Sequence, residues 1–220
     1  MTPTRTSRLN QIWRRLRRSA RALRRDASGV AAVEFAMIFP LMLVAFFGTV
    51  EICAAVAIDR KVTLIARTIS DLTSQQQSNV ASANLMGIFT YGLLIITPYS
   101  TSPLKGQVSE IYVDSNGKAT IQWSQGATMS GNAVTLVTSS RNTGDNVTSV
   151  VPAALLVKQT YLIFSEVNYQ YLPMGGTGYV IAKTGINLGD VSYTRPRQST
   201  CIVDNDVDQP VLVSGQCPQS

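Results

Sequence analysis

The sequence predicts an α+β protein, in which one long membrane-spanning helix near the N-terminus continues into a small extracytoplasmic domain with an antiparallel sheet. Three observations carry the prediction. Residues 30–58 form an apolar run of 29 residues that holds only two charges, Glu34 and Glu51. An apolar stripe at helical spacing continues beyond that run. After residue 80, short segments rich in β-branched and aromatic residues alternate with polar turn signals.

The chain has 220 residues, of which 45% are apolar. That length suits one domain of ordinary size plus an anchor, and the apolar content is enough for a packed core. Charge is distributed unevenly. Residues 1–29 hold nine arginines and one acid, Asp26, a net of +8, whereas the remainder is net −2. A folded domain that binds nucleic acid carries its excess lysine and arginine within itself. Here the excess lies in a short leader, so no nucleic-acid partner is expected. Histidine is absent, which excludes Ser-His-Asp and Cys-His catalysis and every zinc motif built on histidine.

The leader, 1–29, places Leu9, Ile12, Trp13, Leu16, Ala20 and Leu23 at helical spacing with arginines on the other face. A basic amphipathic segment suits an anionic lipid surface, and its arginines hold that end in the cytoplasm. Residues 30–58 exceed the ~20 residues needed to cross the hydrocarbon at about 1.5 Å each. They show no polar face, so they read as a spanning helix. A cleaved secretory signal has an apolar region of roughly 7–15 residues followed by small residues. In this chain the run is longer and the small residues precede it. Ile58, Val62, Ile65, Ile69 and Leu72 then step by four and three as far as the polar run 73–79. The helix is therefore expected to continue through 59–77 and to pack its stripe on the chain's own domain or on a neighbouring helix.

The domain is assigned to residues 80–220. Residues 85–96 are apolar but too few to span, so they predict a core helix. Residues 108–113 and 119–123 flank Ser115-Asn116-Gly117-Lys118, where Asn-Gly is a strong hairpin signal. Residues 161–164, 166–171, 179–181 and 191–193 are further strand candidates. Cys53 lies inside the apolar run and reads as a small packed side chain. Cys201 and Cys217 are too few for a four-cysteine zinc site. If that end is extracytoplasmic, a disulfide is the reading they support.

Several short patterns mimic enzyme motifs. Ser102-Pro103-Leu104-Lys105, Ser130-Gly131-Asn132 and Lys183-Thr184-Gly185 follow the order of penicillin-recognising serine enzymes. The first lies in a polar loop rather than at a helix start, and the domain is small for that fold. Gly176-Thr177-Gly178 ahead of Lys183-Thr184 fails as a phosphate loop, because Thr177 and Ala182 stand where glycines are required. Asp204, Asp206 and Asp208 open like a calcium loop, but Gln209 and Gly215 occupy the required glycine and glutamate positions. No catalytic residue, metal site or cofactor is expected. The membrane acids are more informative, since a carboxylate in hydrocarbon costs at least ~2.5–3.5 kcal/mol and usually marks function. Glu51 lies near the outer end of the run, where it can snorkel. Glu34 lies one turn inside and needs a partner.

The string Arg24-Arg25-Asp26-Ala27-Ser28-Gly29-Val30-Ala31-Ala32-Val33-Glu34-Phe35 resembles a type IV prepilin processing site. Within that group the chain resembles TadE-like pseudopilins of tight-adherence (Flp) pilus systems. Residues 69–75, the stretch from Pro98-Tyr99 to Trp123-Ser124, residues 166–171 with Leu172-Pro173, and residues 193–197 also carry the resemblance. It implies a pilin-like fold, a cut between Gly29 and Val30 by a membrane prepilin peptidase, and an assembly role for Glu34 and Phe35. Phe35 stands where the major pilin has tyrosine, which argues for an accessory subunit. The resemblance further implies a single-pass protein of the bacterial inner membrane with its N-terminus cytoplasmic and its domain periplasmic. The expected partners are the prepilin peptidase, other pilins or pseudopilins, the inner-membrane assembly platform and membrane lipid. Related pilins often close a loop as a Cys201–Cys217 bridge would. Two alternatives stay open: an uncleaved signal-anchored domain that binds at the cell surface, and the serine-enzyme reading.

Overall fold

The computed structural model describes residues 29–77, 79–173 and 185–204. Residues 1–28 of the leader, the strand candidate 179–181, Lys183, Thr184, Asp206, Asp208 and Cys217 lie outside them. Two compact units divide the chain between Val50 and Glu51.

The N-terminal unit consists, among the described residues, of the first part of helix α1 (Gly29–Ser74). Every residue from Gly29 to Val50 is exposed, and Glu34 is the only charge among them. Pro40 lies within the helix. A helical proline costs one backbone hydrogen bond, and apolar spans tolerate it where neighbouring groups re-satisfy the freed carbonyl. Among the described residues this is the one helix long and apolar enough, by length and composition, to cross a membrane, as a single-pass anchor near the N-terminus would be.

The second unit is built on the rest of α1. Ile58, Val62, Ile65, Ala66 and Ile69 are fully buried, so the stripe expected at helical spacing is the face that meets the domain core. Leu72 packs against the same cluster from its edge. Ile58, assigned from sequence to the end of the span, opens this buried stripe. The helix stops at Ser74, where Ser74 Oγ turns back to donate to the Asp71 carbonyl (2.7 Å).

Strand β1 (Asn79–Val80) leads into helix α2 (Ser82–Ile96), the core helix predicted from the apolar residues 85–96. Leu85, Ile88, Phe89, Leu93 and Ile96 form its buried face. Gly92 lies on that face, where a Cβ would sit 3.2 Å from both Ile65 and Met129, so glycine lets α2 close on its neighbours without their side chains shifting. Lys61 of α1 fastens the other end of α2. Its Nζ donates to the Ile95 and Thr97 carbonyls, each at 2.6 Å, placing a cation where the helix dipole is negative.

Strands β2 (Leu104–Val113), β3 (Ala119–Ser130), β4 (Ala133–Thr138), β5 (Thr160–Tyr171) and β6 (Ile186–Thr194) form an antiparallel sheet in the order β4-β3-β2-β5-β6. The predicted hairpin joins β2 to β3, and Gly117 takes the positive φ of +86° that such a turn requires. Gln122 is an extra residue opposite the Glu110–Ile111 step, a bulge that turns the end of β3. The segments 161–164 and 166–171, separate strand candidates in the sequence, are one strand. Ser165 between them is buried, and its hydroxyl donates to the Ala66 carbonyl of α1 (2.6 Å). A polar residue in an apolar strand is satisfied there by the helix rather than by a turn.

Alternate sheet residues face opposite ways. Val108, Trp123, Met129, Ile163 and Val167 join the α1 and α2 residues in the main core. On the other face Ile111, Ile121, Leu162 and Phe164 are covered by Val147 and Val151 of the β4–β5 connection. That connection is tied down by Arg141, whose guanidinium grips Glu166 through Nε (3.0 Å) and Nη2 (2.7 Å). Gln107 also donates to Glu166. Finally β7 (Val203–Asp204) returns to pair in parallel with β1.

Candidate functional site: an apolar helix with two carboxylates

Each predicted site residue on α1 is exposed or half-buried on its helix. Gly29 opens the helix and a Cβ there would meet nothing within 4 Å. Val30 follows, exposed to 55%. Glu34 lies one turn further on, exposed, on the same helix face as Val30. Phe35 is exposed and stacks in a tilted arrangement on Phe39, ring centroids 5.3 Å apart. The unit thus presents a continuous apolar surface interrupted by one carboxylate.

Glu51 has a partner that sequence spacing cannot show. Its Oε2 accepts from the Tyr171 hydroxyl at 2.5 Å, across 120 residues of chain. Burial, then the neighbouring carboxylate, push the Tyr171 phenol up to about 12. The phenol therefore stays a donor at neutral pH and Glu51 the acceptor. Cys53, two residues on, is a free, exposed cysteine, not the packed side chain expected of it.

A second carboxylate, absent from the sequence reading, lies inside the domain. Glu110 of β2 is 2% exposed. Its Oε1 accepts the Ile202 amide at 2.7 Å, while Trp123 Nε1 donates to the Ile202 carbonyl at 2.6 Å. The two side chains clamp one peptide segment from both sides. Burial pushes the Glu110 carboxyl up to about 8, against smaller opposing effects of the Ile202 amide and the Trp123 indole. Cys201 adjoins this clamp and is buried beside Tyr161.

The enzyme-like fragments fare unevenly. The turn bearing Ser102 and the turn at Gly131 are neighbours, joined by a Thr101 hydroxyl to Gly131 carbonyl bond of 2.8 Å. Ser102 is exposed in that turn and Lys105 is exposed within β2, so neither stands on a helix. Lys183 and Thr184 lie outside the described residues. Asp204 belongs to β7.

No curated protein and no solved structure matches the chain. The family comparison falls on the helix just described: over residues 29–70, which include Gly29, Val30, Glu34, Phe35 and Glu51, the chain matches the model of the TadE-like protein family.

Proposed function

We infer that this chain is an accessory, pseudopilin-like subunit for assembly of a tight-adherence pilus. It is a substrate and structural part rather than an enzyme. The observation that carries the reading is the coincidence of the TadE-like match with an apolar helix, exposed all round, whose first 22 residues hold a single carboxylate. In this reading a prepilin peptidase cuts between Gly29 and Val30. The chain is anchored once in the inner membrane, with the leader cytoplasmic and the domain periplasmic. Its partners are other pilins or pseudopilins and the assembly platform.

Cleavage changes the chemistry of the helix start. The Val30 nitrogen becomes an ammonium group, and Glu34, four residues on, shares its face. A carboxylate in the first turn is also favoured by the helix dipole. In hydrocarbon a paired charge is strongly preferred to an isolated one. Glu34 therefore pairs with the amine of its own chain or with that of a neighbour shifted along the bundle, which fixes axial register. The remaining part of the reading is a Cys201–Cys217 disulfide in the oxidising compartment. Glu34→Ala tests the assembly role: the variant should insert and be cleaved, yet fail to support piliation. Full piliation by that variant would show the carboxylate to be incidental.

A further inference from the structure

Beyond β6 the chain crosses its own domain as a strap. It first passes the end of α1, where the Arg197 amide donates to the Ser74 carbonyl (2.9 Å) and the guanidinium pairs with Asp71 (2.5 Å). Cys201 is then buried against Tyr161, and Ile202 is buried in the main core. Glu110 and Trp123 hold this middle part by the Ile202 amide and carbonyl, at 2.7 and 2.6 Å. The strap ends in β7, which pairs with β1 over two residues.

Glu110 is thus a buried carboxyl with a removable cover. Its own strand is fixed on both sides, since β2 pairs with β3 and, along all 10 residues, with β5. The strap is fixed by far less: one clamped peptide, one ion pair and a two-residue strand. An ionised carboxylate shut away from water is strongly disfavoured. Water reaches it most easily where the fewest bonds must break, and parts of a fold open separately on that basis. Here that part is the strap.

We propose that residues 197–204 form a pH-gated strap, closed over protonated Glu110 and lifted by its ionisation while the five-stranded sheet stays folded. Lifting takes β7 off β1 and uncovers Ile202, Trp123 and Tyr161. With the strap lifted, the carboxyl meets water and titrates at its ordinary 4.5; with the strap closed it titrates at about 8. Between those values only the closed form keeps the proton. The lifted population therefore rises about tenfold per pH unit across the window and levels off above it. Among the described residues, the other titratable side chains packed at this end are Tyr112 of β2 and Tyr161 of β5, with Cys201 against them. Burial pushes the Tyr161 phenol up to about 12, outside the window. No lysine or arginine among the described residues contributes to the Glu110 shift.

The test is amide exchange on the full chain in detergent micelles at about pH 5 and about pH 8, corrected for the intrinsic pH dependence of exchange. Ile202 and Val203 report the strap, and Val108 and Ile163 report the sheet. The strap amides should be less protected than the sheet amides at both pH values. They should also lose roughly a few hundred-fold in protection between the two conditions. In Glu110→Gln, whose amide oxygen keeps the bond to Ile202, that loss should vanish. Equal protection of strap and sheet throughout would show that the domain opens only as a whole, and would overturn the proposal. Strap protection that does not change with pH in the wild type, or the same loss in Glu110→Gln, would overturn it too. The wild-type series decides between strap and whole-domain opening even where the variant does not fold.

Discussion

Glu110→Gln replaces the buried carboxyl of the described structure with an uncharged group of the same shape. The amide oxygen keeps the acceptor that Ile202 needs, so the clamp survives and only the titration disappears. Below the ordinary value of 4.5 the carboxyl is neutral in folded and unfolded chains alike, and above about 8 it is ionised in both. Between them the folded chain holds a proton that the unfolded chain has released. Stability from this group is therefore complete at low pH and lost as pH rises through that window, at ~1.4 kcal/mol per pH unit. Across the whole window the loss is roughly 5 kcal/mol, a large share of the 5–15 kcal/mol typical of a domain. Urea unfolding of the full chain in detergent micelles, at about pH 5 and about pH 8, measures it. The wild type should weaken by several kcal/mol more than the variant between the two conditions. Parallel behaviour of the two proteins would refute the argument that burial governs Glu110.

Lys61→Met keeps the aliphatic stem and removes both charge-assisted bonds to the end of α2. A loss of about 1–3 kcal/mol is expected, read as a lower urea midpoint with an unchanged slope. Non-reducing peptide mapping of protein from an oxidising compartment should show Cys201 joined to Cys217. Closing that loop is worth ~3 kcal/mol in the chain-entropy model, and two free thiols would remove the bridge from the account. Arg141→Ala leaves the half-buried Glu166 at the sheet without its cation. It should loosen the β4–β5 connection, measured as faster amide exchange around Val147 and Val151.

Some elements were legible because one periodicity governed them. The α1 stripe, Ile58 to Ile69, repeats at helical spacing and is buried over that stretch. The Asn116-Gly117 pair marked its hairpin because a positive φ favours glycine. The rest depended on partners distant in sequence. Strand β5 looked interrupted at Ser165 because the acceptor that satisfies its hydroxyl is Ala66, on a helix 99 residues earlier. Strand β4 went unread because it lies in a serine- and threonine-rich stretch with no residue buried. Polar Lys105, Gly106 and Gln107 hid the first half of β2, whose length became visible only in its register with β5. Among the candidate site residues, Gly29, Val30 and Glu34 were singled out from local order alone. Glu51 was readable as an oddity, but Tyr171 was not, and nothing near Glu110 in the sequence announces a buried acid. Its neighbours in space, Trp123 and Ile202, come from a bulged strand and from a C-terminal segment.

The central claim is that this chain is a processed subunit, and the mass of its mature N-terminus in membranes from cells that carry the prepilin peptidase tests that most directly. The account predicts a chain that begins at Val30, and an unprocessed precursor when Gly29 is replaced by phenylalanine. The structure makes the substitution informative, because a Cβ at Gly29 would meet nothing within 4 Å. An intact Gly29–Val30 bond in the wild type, or a normal mature N-terminus in the Gly29→Phe variant, would contradict it.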